Sequence, residues 1–282
     1  MNANREYEPE TLKRTQDALL SIYKEVSRIC DKHNITLFAE GGTALGAVRH
    51  GGFIPWDDDV DIFVMREDYD KLLEILPKEL DEKFGVDDWL SNKDFPAPDA
   101  CIYLKNSVSV PIEMKSCKYR YGISIGIYPY DNMPDDDKKA KAQLRACWFW
   151  TRIHWLKVLP FPYIPYKGFL RAAIYTVCGA AHLFLKLVPK KWIVGRCEKA
   201  TRRYNNTETR RAGILTYVYP WDTVLEKSKI YPPHELMFED LKVRIPACWD
   251  EWLTQLYGDY MQLPPEDQRK NHFPCEFKFP DE

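Results

Sequence analysis

Residues 40–61 read EGGTALGAVRHGGFIPWDDDVD, and residues 62–65 continue as IFVM. From Asp59 to Met65 acids alternate with apolar residues and then give way to an apolar run, which predicts a strand. Side chains alternate along a strand, so Asp59 and Asp61 share one face while Val60, Ile62 and Val64 take the other. Their Cα atoms stand about 6.6 Å apart. Parallel carboxylates at that spacing are costly unless a cation lies between their tips. Hard cations such as Mg²⁺ take oxygen ligands, and in phosphoryl chemistry they neutralise the transferred and leaving groups. Gly41-Gly42 follows a short predicted strand, Ile35 to Glu40, and opens a helical turn over 43–49. Glycine there lets the backbone approach a ligand, and N–H groups at a helix start point at anions. Thr43 adds a hydroxyl. Gly-Gly alone reads equally as a tight turn, and Asp-x-Asp alone as a solvated loop. In this order they read as a phosphate seat beside a metal seat.

Working outward, residues 10–33 form an amphipathic helix with Leu12, Leu19, Ile22, Tyr23, Val26, Ile29 and Cys30 on one side, and Asn34 as its stop. Residues 66–76 are helical. Short strands are expected near 100–105, 109–114 and 122–128. Residues 138–204 read as mostly helical, broken by the proline-rich LPFPYIPY at 159–166. Strands near 213–218 and 240–245, a helix at 248–257 and a loop-like tail at 264–282 follow. The expected fold is α+β: a mixed β-sheet flanked by helices, with a mostly helical insertion and a mixed C-terminal part. Residues 1–134 are the expected core and 135–210 the helical region, and 211–282 complete the same unit.

The chain has 282 residues and a net charge of −2, with 45% apolar and 29% charged residues. That balance excludes global disorder and a basic nucleic-acid surface, so no nucleic-acid partner is expected. Eight cysteines contain no C-x-x-C pair and read as reduced, mostly buried thiols of a cytoplasmic protein. Residues 172–185 carry no formal charge. Fourteen such residues fall short of a spanning segment, which leaves a core-packing helix as the first reading. A helix resting on a membrane surface, hence peripheral association at its inner face, is the sharper one.

The stretch GGTALGAVRHGGFIPWDDDVDIFVMREDYDKL, residues 41–72, closely resembles the signature of the LicD family. Similarity continues in IYPYDNMP at 127–134 and from Tyr257 to His272. The resemblance implies the nucleotidyltransferase fold of the DNA polymerase β superfamily. It also implies a phosphotransferase that moves phosphocholine from CDP-choline to a hydroxyl of a glycan or lipid-linked glycan, such as a teichoic acid or lipopolysaccharide precursor. The related fukutin group uses CDP-ribitol, and both release CMP and depend on Mg²⁺ or Mn²⁺. By this analogy Gly41, Gly42 and Thr43 hold the donor's phosphates, and Asp59 and Asp61 ligate metal.

One departure matters. Family members often place an aspartate in a later strand, where this chain has Gly126 within Ser-Ile-Gly-Ile-Tyr-Pro. Asp131, five residues on, and Glu113 are the candidates for that third catalytic carboxylate. Arg49, with His50 as support, is expected either to contact the diphosphate or to pair with Asp57 and Asp58. Trp56 is expected in the core or in the wall of the cytidine or choline pocket, since aromatic faces bind quaternary ammonium. Two other readings stay open. One keeps the fold but uses another CDP-alcohol, of ribitol or glycerol type, or transfers a nucleotidyl group. The other is a catalytically inactive glycan-binding or scaffold protein.

Overall fold

The computed structural model of the chain describes residues 7–161, 166–217 and 219–282. Helix α1 (Pro9–Lys32) opens on a proline, whose fixed φ suits the first helical position. Strand β1 (Phe38–Ala39), helix α2 (Gly41–His50), strand β2 (Asp61–Met65) and helix α3 (Arg66–Glu79) follow. Next come β3 (Phe84–Asp88), β4 (Ala100–Leu104), β5 (Val108–Val110) and the long β6 (Ser124–Met133). The middle is helical: α4 (Asp137–Val158), α5 (Gly168–Lys186) and α6 (Lys190–Thr201). The last third contains β7 (Arg211–Gly213), β8 (Leu225–Glu226), α7 (Lys227–Ile230), β9 (His234–Phe238), β10 (Leu241–Ile245), α8 (Trp249–Tyr257) and β11 (Glu276–Lys278).

The principal sheet is mixed, in the order β1-β2-β6-β4-β3, with β7 and β8 added along the far half of β6. β2 and β6 run parallel, and the other pairs are antiparallel. The C-terminal strand β11 pairs with β5. This is the α+β arrangement with a mixed, helix-flanked sheet that the pattern of elements predicts.

Alternation sorts the strand residues between two cores. Val60, Ile62, Val64, Ile125 and Ile127 pack with α1 and α3 in one. Phe63 and Tyr130 face the other way, where Phe63 stacks on Phe38 at 4.7 Å and on Tyr130 at 3.9 Å between centroids. They pack there with Ala44 and Leu45 of α2 and Trp252 of α8. Burying side chains of this size contributes about 1.5–3 kcal/mol each. All eight cysteines are free, and Cys30, Cys101, Cys117, Cys147 and Cys197 are buried.

Several boundaries differ from the sequence reading. β2 starts at Asp61, so Asp59 lies in the preceding extended loop rather than on the strand. Only Phe38 and Ala39 of 35–40 enter the ladder. The strand expected over 109–114 ends at Val110, because Pro111 has no N–H to donate and leads into a 3₁₀ turn over Ile112–Met114. The strand expected near 213–218 is β7, which starts two residues earlier and ends at Gly213, and residue 218 lies outside the described residues. So do residues 162–165 of the proline-rich break. β3 and β9 had no alternation strong enough to predict them. α5 is not a core helix: among its residues only Leu185 is buried.

Candidate active site

Asp61 stands directly beside Gly126 in the parallel register of β2 and β6. A Cβ at position 126 would come within 2.7 Å of Asp61 Oδ1 and 3.0 Å of the Tyr128 ring. The Asp61 carboxylate thus fills the space that a side chain at 126 would need. Thr43, at the start of α2, fixes this strand from the other side. It is buried, and its Oγ1 accepts the Asp61 N–H at 2.9 Å while its own N–H donates to Glu40 O at 3.0 Å. Its hydroxyl oxygen therefore faces β2.

Gly41 has φ +48°, and a Cβ there would lie 3.3 Å from Tyr257 Oη. The left-handed backbone and the close approach both favour glycine. A Cβ on Gly42 would lie 3.1 Å from Asp57 Oδ2, so the glycine pair faces the acidic loop. That loop is tied to α1 by Gln16, whose amide donates to Asp57 O at 2.9 Å.

Asp58, Asp59, Asp61, Asp99, Tyr128 and His272 line one cavity of about 330 Å³. Asp99 reaches it through the pairing of β4 with β6. Cys101 pairs with Gly126, and Asp99 lies in the bend just before β4, in the wall of the same cavity. Glu113, on the exposed 3₁₀ turn, also borders the cavity. From the C-terminal tail the His272 N–H donates to Asp58 Oδ1 at 2.7 Å, and its Nδ1 lies 3.5 Å from both Asp58 and Asp59 carboxylate oxygens. Asp57, Asp58 and His272 each bring a donor atom within 4.8 Å of the others.

This concentration of acids is electrostatically strained. Burial pushes Glu40 up to about 8. Burial, with Asp59 and Asp58 alongside, pushes Asp57 up to about 8. Asp99 is pushed up to about 7 by burial. Asp59 is raised by burial, against the opposing pull of His272. Asp61 is raised well above the carboxylate range by burial first and then by Asp59, Glu40 and Asp99. His272 is raised to about 9, chiefly by its bond to Asp58 with support from Asp59, and serves as an internal cation.

Asp131 is elsewhere. It is an odd number of residues from Gly126 along one continuous strand, so it faces away from Asp61. Its oxygens accept from Arg66 Nε and Nη2, both at 2.8 Å, and from Asn205 Nδ2 at 2.6 Å. The structure makes it half of a buried ion pair and does not bring it to Asp59 and Asp61.

Arg49 and Trp56 come together in a second cavity of about 510 Å³, with Tyr257, on the other side of the glycine turn. Arg49 donates to Tyr260 O at 2.7 Å and to His50 Nε2 at 2.9 Å, and among the described residues it pairs with no acid. His50 is exposed. The Arg269 guanidinium lies 5.1 Å over the Trp56 ring. Sequence reasoning missed Asp99 and Glu40 and gave His272 no role. Asp99 could be found only from the β4–β6 register, whereas the similarity of the tail up to His272 was a signal for that residue.

Residues 34–119 match a family model described as the LicD/FKTN/FKRP nucleotidyltransferase domain. The lipopolysaccharide cholinephosphotransferase LicD of Haemophilus influenzae is 25% identical over 274 residues, covering 93% of this chain and 96% of that protein. An uncharacterised protein of Rickettsia prowazekii is 48% identical over 61 residues, 22% of this chain and 23% of the relative. The human ribitol 5-phosphate transferase FKRP is 41% identical over 51 residues, 18% of this chain and 10% of that protein.

Proposed function

We propose, from the match of residues 34–119 to the LicD/FKTN/FKRP nucleotidyltransferase domain, that the chain is a metal-dependent phosphotransferase. In this reading it moves phosphocholine from CDP-choline to a sugar hydroxyl of a cell-surface glycan precursor and releases CMP. The observation that supports it most is the carboxylate cavity. Asp59 and Asp61 in its wall, with Asp57 beside them, offer an all-oxygen donor set whose protonation equilibria are raised by burial and by neighbouring acids. Such a set fits a hard divalent cation, Mg²⁺ or Mn²⁺. When bound, the ion would neutralise charge on the donor's diphosphate.

The chain's own residues account for the rest. Gly41 and Gly42 leave room for the diphosphate beside the start of α2. Tyr128 and Tyr121, in the cavity wall, present aromatic faces suited to a trimethylammonium group. The cavity with Trp56 and Arg49 suits the cytidine. The sugar oxygen forms a bond to the phosphorus bearing choline as the bond to CMP breaks, and CMP leaves with the electron pair. Asp99, held near 7, accepts the hydroxyl proton, because a base poised near the working pH transfers most effectively. CDP-choline is preferred over CDP-ribitol because the cholinephosphotransferase relative spans nearly the whole chain, and FKRP only the central motif.

The test is a thermal-shift and CMP-release screen of CDP-choline, CDP-ribitol and CDP-glycerol with Mn²⁺ or Mg²⁺. CDP-choline plus metal should raise the melting temperature, and Asp59→Ala with Asp61→Ala should remove the rise. A response to CDP-ribitol alone would reassign the donor. No response to any of the three would leave the inactive binding protein as the reading.

A further inference from the structure

Charge is divided unevenly along this chain. Residues 138–204 hold fifteen Lys and Arg and one acid, Glu198. The remainder holds 25 Lys and Arg against 41 acids. Among the described residues, Arg202 alone of those fifteen cations forms an ion pair, with Asp70 and Glu198. Among the described residues, the other fourteen have no acid within ion-pairing distance.

The same segment carries an unpartnered apolar face. On α5, residues Phe169, Ala172, Thr176, Val177, Ala180, Leu183 and Phe184 are exposed and recur at helical spacing, and Leu187 just past its end continues the stripe. Phe169 is 90% exposed, Leu187 81% and Phe184 68%. The opposite side of the helix is fixed to α4: His182 Nδ1 bonds Leu156 O at 2.9 Å, and Lys157 donates to Leu185 O at 2.8 Å. Lys167, Arg171 and Lys186 flank the stripe. Trp148 on α4 and Trp192 on α6 are about half exposed, each beneath an arginine guanidinium.

We propose that α5 docks the protein on an anionic lipid bilayer, lying in the plane of the surface. Apolar side chains on one face, flanked by lysine and arginine, are what such a surface selects, and the neighbouring helices add two exposed tryptophans. α5 is long and apolar enough to cross a membrane by length and composition. Its bonds to α4 and the charge on Arg171 hold it on the protein instead. A second copy of the chain is a poor occupant, since it would oppose one strongly cationic segment to another.

The experiment is vesicle flotation of the full chain, without donor or metal, so its outcome is independent of the proposed reaction. Vesicles are phosphatidylcholine alone, or with roughly 30% phosphatidylglycerol. Binding is expected only to the anionic vesicles, weakened at about 0.5 M salt. Phe169→Asp with Phe184→Asp should reduce it by about tenfold or more, and Lys167→Glu with Lys186→Glu should also weaken it. All four positions are exposed, so melting temperatures should match the parent. No binding to anionic vesicles, or binding unchanged in both double variants, would overturn the proposal. So would retention through carbonate extraction, which marks a spanning helix, or an apolar dimer that forms without vesicle binding and is lost in the Phe169→Asp, Phe184→Asp variant.

Discussion

Asp131 is the sharpest point at which sequence and geometry assign different roles to one residue. A third catalytic carboxylate and a buried structural anion respond differently to Asp131→Asn. The substitution keeps the shape of the side chain, removes its charge and turns an amide N–H₂ towards Arg66 or Asn205. Arg66 is then left buried, its nearest remaining acid being Asp70 at 3.7 Å. Breaking a buried ion pair by removing one partner costs about 3–5 kcal/mol. For a chain of this size each kcal/mol moves the melting point by about 2–4 °C. The expected loss is therefore roughly 6–20 °C. Scanning calorimetry or a fluorescence melt reads it directly. Arg66→Met with Asp131→Leu should recover part of the loss, because well-packed apolar residues often replace a buried pair at little cost. Below both melting points, CMP release by Asp131→Asn should stay within a few-fold of the parent. An unchanged melting point with abolished CMP release would refute the structural assignment and restore Asp131 to the reaction.

Gly126→Ala brings a Cβ to 2.7 Å from Asp61 Oδ1, and displacing that carboxylate should weaken the Mn²⁺-dependent thermal shift by about tenfold in midpoint; an unchanged midpoint would show that the glycine is incidental. Thr43→Val removes the acceptor of the Asp61 N–H and should cost about 1–3 kcal/mol in denaturant unfolding, whereas Thr43→Ser should restore it. A loss in Thr43→Ser with none in Thr43→Val would show that the methyl group, not the hydroxyl, matters. His154 is buried, donates from Nε2 to Pro96 O at 2.7 Å, and burial lowers it from 6.5 to about 4. The unfolded chain therefore takes up this proton first, and the contribution is complete above pH 6.5 and lost as pH falls from there towards 4. The loss should reach about 3 kcal/mol by pH 4. His154→Gln should flatten the pH dependence of unfolding by that amount, and an identical slope in parent and variant would refute it.

What the sequence disclosed and what it withheld follow from one cause. The glycine turn, the Asp61 strand and the flanking helices were legible because each is a local pattern of alternation, 3–4 spacing or backbone freedom. The placement of acids on the site depends on pairing between strands distant in sequence, which no local pattern carries. Asp131 looked close to Gly126 when counted in residues, yet parity along β6 turns it to the opposite face. Asp99 lies in the bend before β4, and the pairing of β4 with β6 brings that bend to the cavity. Parity along β6 is enough to exclude Asp131, whereas Asp99 requires knowledge of the β4–β6 pairing.

The near-zero net charge can now be resolved into two opposed parts with different physical consequences. Burial, and after it the neighbouring acids, raises the affinity of this cluster for protons, and the imidazolium of His272 supplies positive charge. Among the described residues, fourteen cations of 138–204 form no ion pair with any acid, so they do not relieve this strain. One imidazolium only partly offsets the acids, and the two charge groups do not offset each other. This arrangement is explained most economically if each has an external partner. For the acids the partner would be a divalent ion, and for the basic helical segment an anionic surface. The two claims separate experimentally. Metal should raise the melting temperature of a variant that no longer floats with vesicles, and the Asp59→Ala, Asp61→Ala variant should still float.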